Sequence, residues 1–173
     1  MPTIMCTRNL WRAIGGHAEL SARSPEPSSP AKLGTWCARE LSTRAGWFVV
    51  ALEETTYLTV LCPILPQPKF LLAFSASVGA GLEAVGISRR LATLETLALL
   101  ERSRFAKNDN RSLLGSVNDV AFNASVAFED LDRFDLAAVE RIQADLNRMP
   151  HVHRKPAFPD QATRLLYRDV PSA

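Results

Sequence analysis

The chain reads as an α+β protein: a small antiparallel β-meander from the N-terminal half packed against helices from the C-terminal half. Two patterns predict this. Residues 33–65 hold runs rich in β-branched and aromatic side chains, WFVVAL at 47–52 and YLTVLCPI at 57–64. From residue 67 onward the apolar residues recur at helical spacing instead. A length of 173 residues, 47% of them apolar, suits one domain over residues 1–173 with a core of its own.

The elements follow in order. Met1 to Thr7 reads as a short edge strand, and Asn9 as the cap of a brief helix over Leu10 to Ile14, stopped by Gly15-Gly16. Ser21 to Lys32, SARSPEPSSPAK, reads as an exposed, mobile Pro/Ser-rich loop within the domain. Trp36 to Leu41 is expected to form the first strand of a three-stranded meander, turning at Arg44-Ala45-Gly46. The polar EETT between the two β-rich runs suits a hairpin connection. Pro63, Pro66 and Pro68 close the β region, because proline cannot donate to a ladder. Helices are expected from Gln67 or Pro68 to Val85, and from Ser88 onward, where Leu91, Leu94, Leu97, Ala98 and Glu101 keep helical spacing. Ser103 to Lys107 reads as a short extended segment. Helices follow over Arg111 to Glu129 and Leu136 to Arg148, then a short one over Asp160 to Tyr167 in a basic, proline-broken tail.

Composition bounds function only loosely. The net charge of +2 is too small to diagnose a partner. Cys6, Cys37 and Cys62 are odd in number and far apart, so neither a disulfide framework nor a disulfide-linked partner is expected, and a reducing cytoplasm fits. The N-terminus meets charge too early for a signal peptide, and the apolar run Phe70 to Leu82 is too short to span a bilayer. No membrane association and no cofactor are expected.

The chemistry concentrates in Arg104 to Asp119, RFAKNDNRSLLGSVND. On a helix turning about 100° per residue, Leu113, Val117, Val120, Ala121, Ala124 and Phe128 share one core-facing stripe. The opposite side carries Arg111, Gly115 and Asn118, flanked by Ser112, Ser116, Asp119 and Asn123. Phe122 and Val126 lie there too, which predicts a helix covered on both sides with its polar first turns lining a cleft or a buried network. Gly115 costs roughly 1 kcal/mol relative to alanine inside a helix, so close approach by a backbone or a ligand is expected there. Lys107 and Arg111 add positive charge beside the unpaired N–H groups of a helix start, a fair anion site. The competing reading is a buried polar brace: Asn110 and Ser112 are good N-caps, Asn108-Asp109 suits a turn, and Arg111 can pair with Asp119.

These residues carry a resemblance. Lys107-x-x-Asn110-Arg111-Ser112-Leu113-Leu114-Gly115-Ser116-Val117-Asn118-Asp119 is similar to the hallmark K-[TN]-x-NRS-[VL]-LGS-[MV]-ND of an uncharacterised group of small bacterial proteins, classed as a domain of unknown function. Cys6-Thr7 followed by Leu10 resembles that group's opening strand and turn. Trp36-x-Ala38-x-x-Leu41 resembles its W-x-A-N-L stretch, with Arg39 where asparagine is usual. Glu54 and Thr55 sit near its Asn-Glu-x-Thr turn without the asparagine, and Asn147-x-x-Pro150, Pro159 and Leu165-Leu166 resemble its ending. The resemblance implies a compact α+β protein often found among mobile bacterial genes, and no established activity.

Other chemistry is thinner. Gly115-Ser116 lies inside a helix and lacks the second glycine of a nucleophile elbow. Cys37 has no basic partner nearby in sequence and reads as a buried structural thiol. His151-x-His153 needs a distant third ligand such as His17, and Asp130-x-Asp132 lacks the glycine and glutamate of a calcium loop, so no metal is expected. The basic tail residues Arg148, His151, His153, Arg154, Lys155, Arg164 and Arg168 suit either phosphate contact or a solubilising surface.

The sequence therefore predicts a non-enzymatic binding module. Its recognition cleft comprises Lys107, Asn110, Arg111, Ser112, Ser116, Asn118 and Asp119, with nucleic acid or a protein partner from a mobile-element or defence system as target. The alternative is an enzyme acting on a phosphate-containing substrate, with Asp119 as base and Arg111 and Lys107 as charge stabilisers.

Overall fold

A computed structural model describes residues 2–16, 20 and 32–168. The β-rich half builds the expected meander. Strand β2 (Thr35–Thr43) pairs antiparallel with β3 (Gly46–Glu53), and β3 with β4 (Thr59–Pro63). Two further strands extend it into a five-stranded mixed sheet of order β4-β3-β2-β1-β5.

Strand β1 (Thr3–Cys6) is not an edge strand. It lies between β2 and β5 (Arg104–Lys107), parallel to both, with all four residues buried. An apolar run without alternation is what a strand covered on both faces requires, and shortness alone misplaces it. The edge position falls instead to β5, which comes from the second half of the chain.

Helices cover both faces. On one side α1 (Arg8–Ala13), α2 (Lys69–Ala84) and α3 (Arg89–Arg102) bury Leu10, Phe70, Phe74, Val78, Leu82 and Leu99 against Ile4, Trp36 and Val49 of the sheet. On the other, α4 (Arg111–Ala127) and α5 (Leu136–Leu146) bury Val117, Ala121, Ala124 and Val139 against Met5, Val50 and Leu61. The last helix, α6 (Pro159–Tyr167), adds Tyr167 to the first of these cores.

Local chemistry sets the boundaries. The cap of α1 is Thr7, whose Oγ1 accepts from the Leu10 N–H (3.2 Å), while Asn9 reaches across to Glu40. Helix α2 ends at Val85, followed by Gly86 at φ +90°, where only a glycine is unstrained. Asp135 caps α5 by accepting from the N–H groups of Ala137 and Ala138.

Helix α3 turns part of its leucine pattern outward. Leu94 and Leu97 are exposed, and Ala92, Glu95 and Leu99 face in. Glu95 is buried because its carboxylate accepts the backbone N–H groups of Lys32 (2.6 Å) and Leu33 (3.4 Å), a polar demand that overrides apolar spacing. The loop expected over 21–32 lies outside the described residues apart from Lys32.

The free edge of β4 is closed by side chains. Asn147 Oδ1 accepts from Thr59 N–H and its Nδ2 donates to Thr59 C=O, each at 2.8 Å, while Gln143 Oε1 accepts from Leu61 N–H (2.7 Å). Two amides from one helix thus take the place of a neighbouring strand. Gly81 makes room for this: a Cβ there would lie 3.0 Å from Gln143 Nε2.

Candidate functional site

The predicted core stripe of α4 is buried throughout, from Leu113 to Phe128. The expectation of a helix covered on both sides fails. Phe122 is 68% exposed and Val126 50%, and a Cβ at Gly115 would meet nothing within 4 Å. Only one broad stripe of α4 packs, so the motif's polar residues fall on the two flanks of that stripe and on the outer face.

One flank faces the β3–β4 turn and the segment 149–157. Asn110 joins them at the helix start. Its Oδ1 caps α4 by accepting from Leu113 N–H (3.0 Å), and its Nδ2 donates to Glu54 Oε1 (3.1 Å). The turn itself is shaped by Glu53, a fully buried carboxylate that accepts from Thr55 N–H, Thr56 N–H, Thr56 Oγ1 and Gly34 N–H. Burial pushes its carboxyl above the usual range, against the pull of those donors.

The wound turn leaves Tyr57 at φ +62°, a left-handed conformation that a non-glycine residue holds only when its surroundings impose it. The Tyr57 ring then points between α4 and the 149–157 segment. The Arg154 guanidinium lies 4.0 Å from its centroid and the His151 ring packs edge-on at 4.8 Å. Arg154 also donates to the Glu54 carbonyl, and Ser116 Oγ donates to the Tyr57 hydroxyl (3.4 Å).

Around this pillar lie connected hollows. One of about 300 Å³ is lined by Tyr57, Ser112, Ser116, Asp119, His151 and Arg154. His153 lines it too, and a more open hollow of about 550 Å³ adds Glu54 and Asn110. Burial, then the Arg154 charge, lowers the His151 pKa from its ordinary 6.5, while Asp119 opposes the shift.

The other flank of α4 looks elsewhere. Asn118 accepts from the Arg39 guanidinium on β2. Lys107, at the end of β5, lines a separate cavity of about 600 Å³ with Thr7, Arg8, Trp11, Asn108 and Leu114. Arg111 is exposed. Asn110, Ser112, Ser116 and Asp119 therefore share one surface, whereas Lys107 and Asn118 do not reach it.

Nothing local in the sequence ties Tyr57 to Arg154, His151 and His153 of the basic tail. The pairing spans almost a hundred residues, and the cluster HVHR after Pro150 is the only local sign of that chemistry. Among the described residues, no group of three or more His, Cys, Asp or Glu side chains is arranged to hold a metal ion; His17 lies outside them. Cys37 receives Asn108 Nδ2 at 2.7 Å, and burial pushes its thiol up to about 12. Among the described residues, no helix is long and apolar enough to cross a membrane.

The molecule is thus an α+β protein in which a mixed sheet lies between two helical layers and the polar start of α4 borders an open surface. Residues 3–162 match a family described as a domain of unknown function (DUF6933), and the chain belongs to that family. This bears out, at the level of the family, the resemblance read from the NRS-x-LGS-x-ND motif. Neither the curated proteins nor the solved structures contain a match to it.

Proposed function

We propose that the protein is a non-enzymatic binding module that engages a protein partner through the start of α4 and the facing 149–157 segment. The observation that carries this reading is the mixed charge of an open surface. Asp119 lines one hollow and Glu54 the other; Arg154, His153 and Ser112 line both, and His151 and Ser116 lie with Asp119. Two carboxylates offset the cationic field that nucleic-acid binding depends on, whereas a protein partner offers groups of both signs. Tyr57 and Arg154, packed against each other, are residue types that anchor protein interfaces. Phe122 and Val126 add exposed apolar area on the outer face of the same helix.

The phosphate-enzyme reading has less support. It needs Asp119, Arg111 and Lys107 around one reacting group, and Lys107 lines the cavity on the opposite flank of α4.

A photo-crosslinking amino acid at position 122 in expressing cells tests the proposal. One discrete adduct is expected, abolished by Ser116→Arg, which fills the hollow. No adduct, or an adduct unchanged by that substitution, sinks the reading. Titration with nucleic acid at two salt concentrations tests the rival. Tight salt-dependent binding, with the log–log slope reduced by about 1 in Arg111→Ala, would overturn the choice of a protein partner.

A further inference from the structure

The cavity holding Lys107 lies where the sheet divides its connections. β1 and β5 are adjacent and parallel, with Cys6 opposite Lys107 in register. The chain leaving β1 enters α1, which packs on one face of the sheet; the chain leaving β5 enters α4, which packs on the other. Connections that diverge at the carboxyl ends of neighbouring parallel strands open a crevice, the usual place for ligands in open sheets with parallel strands. Here the crevice encloses about 600 Å³.

The charged side chains among the described residues that line it are all of one sign. Arg8, Arg12 and Lys107 contribute three cations, and no Asp or Glu is among the described residues that line it. Among the described residues none of the three cations is ion-paired. Glu40 lies just behind this wall, accepting from Thr7 Oγ1 (2.5 Å) and Asn9 Nδ2 (3.3 Å), and offsets part of that charge. Three cations against one carboxylate leave the hollow with a net positive field that favours an anion.

The remaining wall is flat and apolar. Arg8, Trp11 and Arg12 stand three and four residues apart on α1 and so share one face. Trp11 is held between Phe105, at 5.2 Å between ring centroids, and Gly16, where a Cβ would fall 2.0 Å from the indole. Only glycine at 16 lets the chain close over the ring. Leu114 adds apolar surface from the α4 side, and the Asn108 amide lies at the strand end.

We infer that this crevice binds a small phosphate monoester carrying an aromatic ring, of mononucleotide size, with Arg8, Arg12 and Lys107 on the phosphate and Trp11 and Leu114 beside the ring. The inference does not depend on the protein-partner surface, which lies across α4.

Calorimetric titration of the full chain with adenosine 5′-monophosphate, adenosine and inorganic phosphate tests it. The monophosphate should bind at least about tenfold more tightly than either fragment. Arg12→Glu and Lys107→Glu, both on exposed side chains, should each weaken monophosphate binding by about tenfold or more. Trp11→Leu should weaken the monophosphate and leave inorganic phosphate unchanged. Arg154→Ala, in the other surface, should change none of these values. Absence of monophosphate binding at about 1 mM overturns the inference. So does binding indifferent to Arg12→Glu and Lys107→Glu, phosphate binding as tightly as the monophosphate, or binding lost in Arg154→Ala.

Discussion

Replacing Asn147 with alanine isolates the device that closes the edge of β4. In the native chain the side chain makes three hydrogen bonds: from Thr59 N–H at 2.8 Å, to Thr59 C=O at 2.8 Å and to Gln143 C=O at 2.9 Å. Both residues are sealed, Asn147 at 2% exposure and Thr59 at 0%. Alanine would leave the N–H and C=O of Thr59 unpartnered where water does not reach. An orphaned buried polar group costs about 1–3 kcal/mol, so the pair should cost roughly 2–6 kcal/mol. A loss of about 3 kcal/mol corresponds to roughly 6–12 °C in Tm for a chain of this size. Urea denaturation measures the total, and amide exchange at Thr59 and Leu61 locates it. The Thr59 amide should lose protection first, and Leu61 less, because Gln143 still covers it. A loss under about 0.5 kcal/mol with Thr59 protection intact would refute the view that these amides stand in for a strand.

Three further outcomes follow from particular residues. Gly115→Ala should stabilise the protein by about 0.5–1 kcal/mol in chemical denaturation, because the new Cβ meets open space within a helix interior; destabilisation would reveal a close neighbour at that position. The His151 imidazole should titrate below 6.5 by NMR, shifting further down in Asp119→Asn and upward in Arg154→Ala, since Asp119 favours and Arg154 opposes its charge; shifts of the opposite sign would remove it from this cluster. Burial holds the folded-state pKa of Glu95 above its ordinary 4.5, so its contribution to stability is full below 4.5 and is lost as pH rises through the raised value. Unfolding free energy should therefore fall more steeply with rising pH, in the window just above 4.5, for wild type than for Glu95→Gln; equal slopes would contradict the shift.

What was legible in the sequence was mostly local. The stripe from Leu113 to Phe128 could be read because every member obeys one helical period against one sheet face. The meander could be read because β-branched runs and short polar turns lie side by side in the chain. The central place of β1 could not, because its partners begin at Thr35 and Arg104, and no short-range signal encodes pairing over that distance. The facing of α3 was hidden for a different reason. Leu94 and Leu97 keep helical spacing, but Glu95 turns inward to meet two backbone N–H groups. At the site, the density of amides and hydroxyls near residue 110 was plain, while their division between the two flanks of α4 was not. Lys107 takes its direction from the strand end and Ser112 from the helix that follows.

The interior position of β1 also shapes how the sheet is born. A ribosome produces this segment before either of its neighbours, so four residues that end up buried must wait with both hydrogen-bonding rims bare. One rim is answered some thirty residues later, the other only after about a hundred. One rim therefore stays bare while α2 and α3 are being made, and completion of the sheet is gated by the arrival of Arg104 to Lys107.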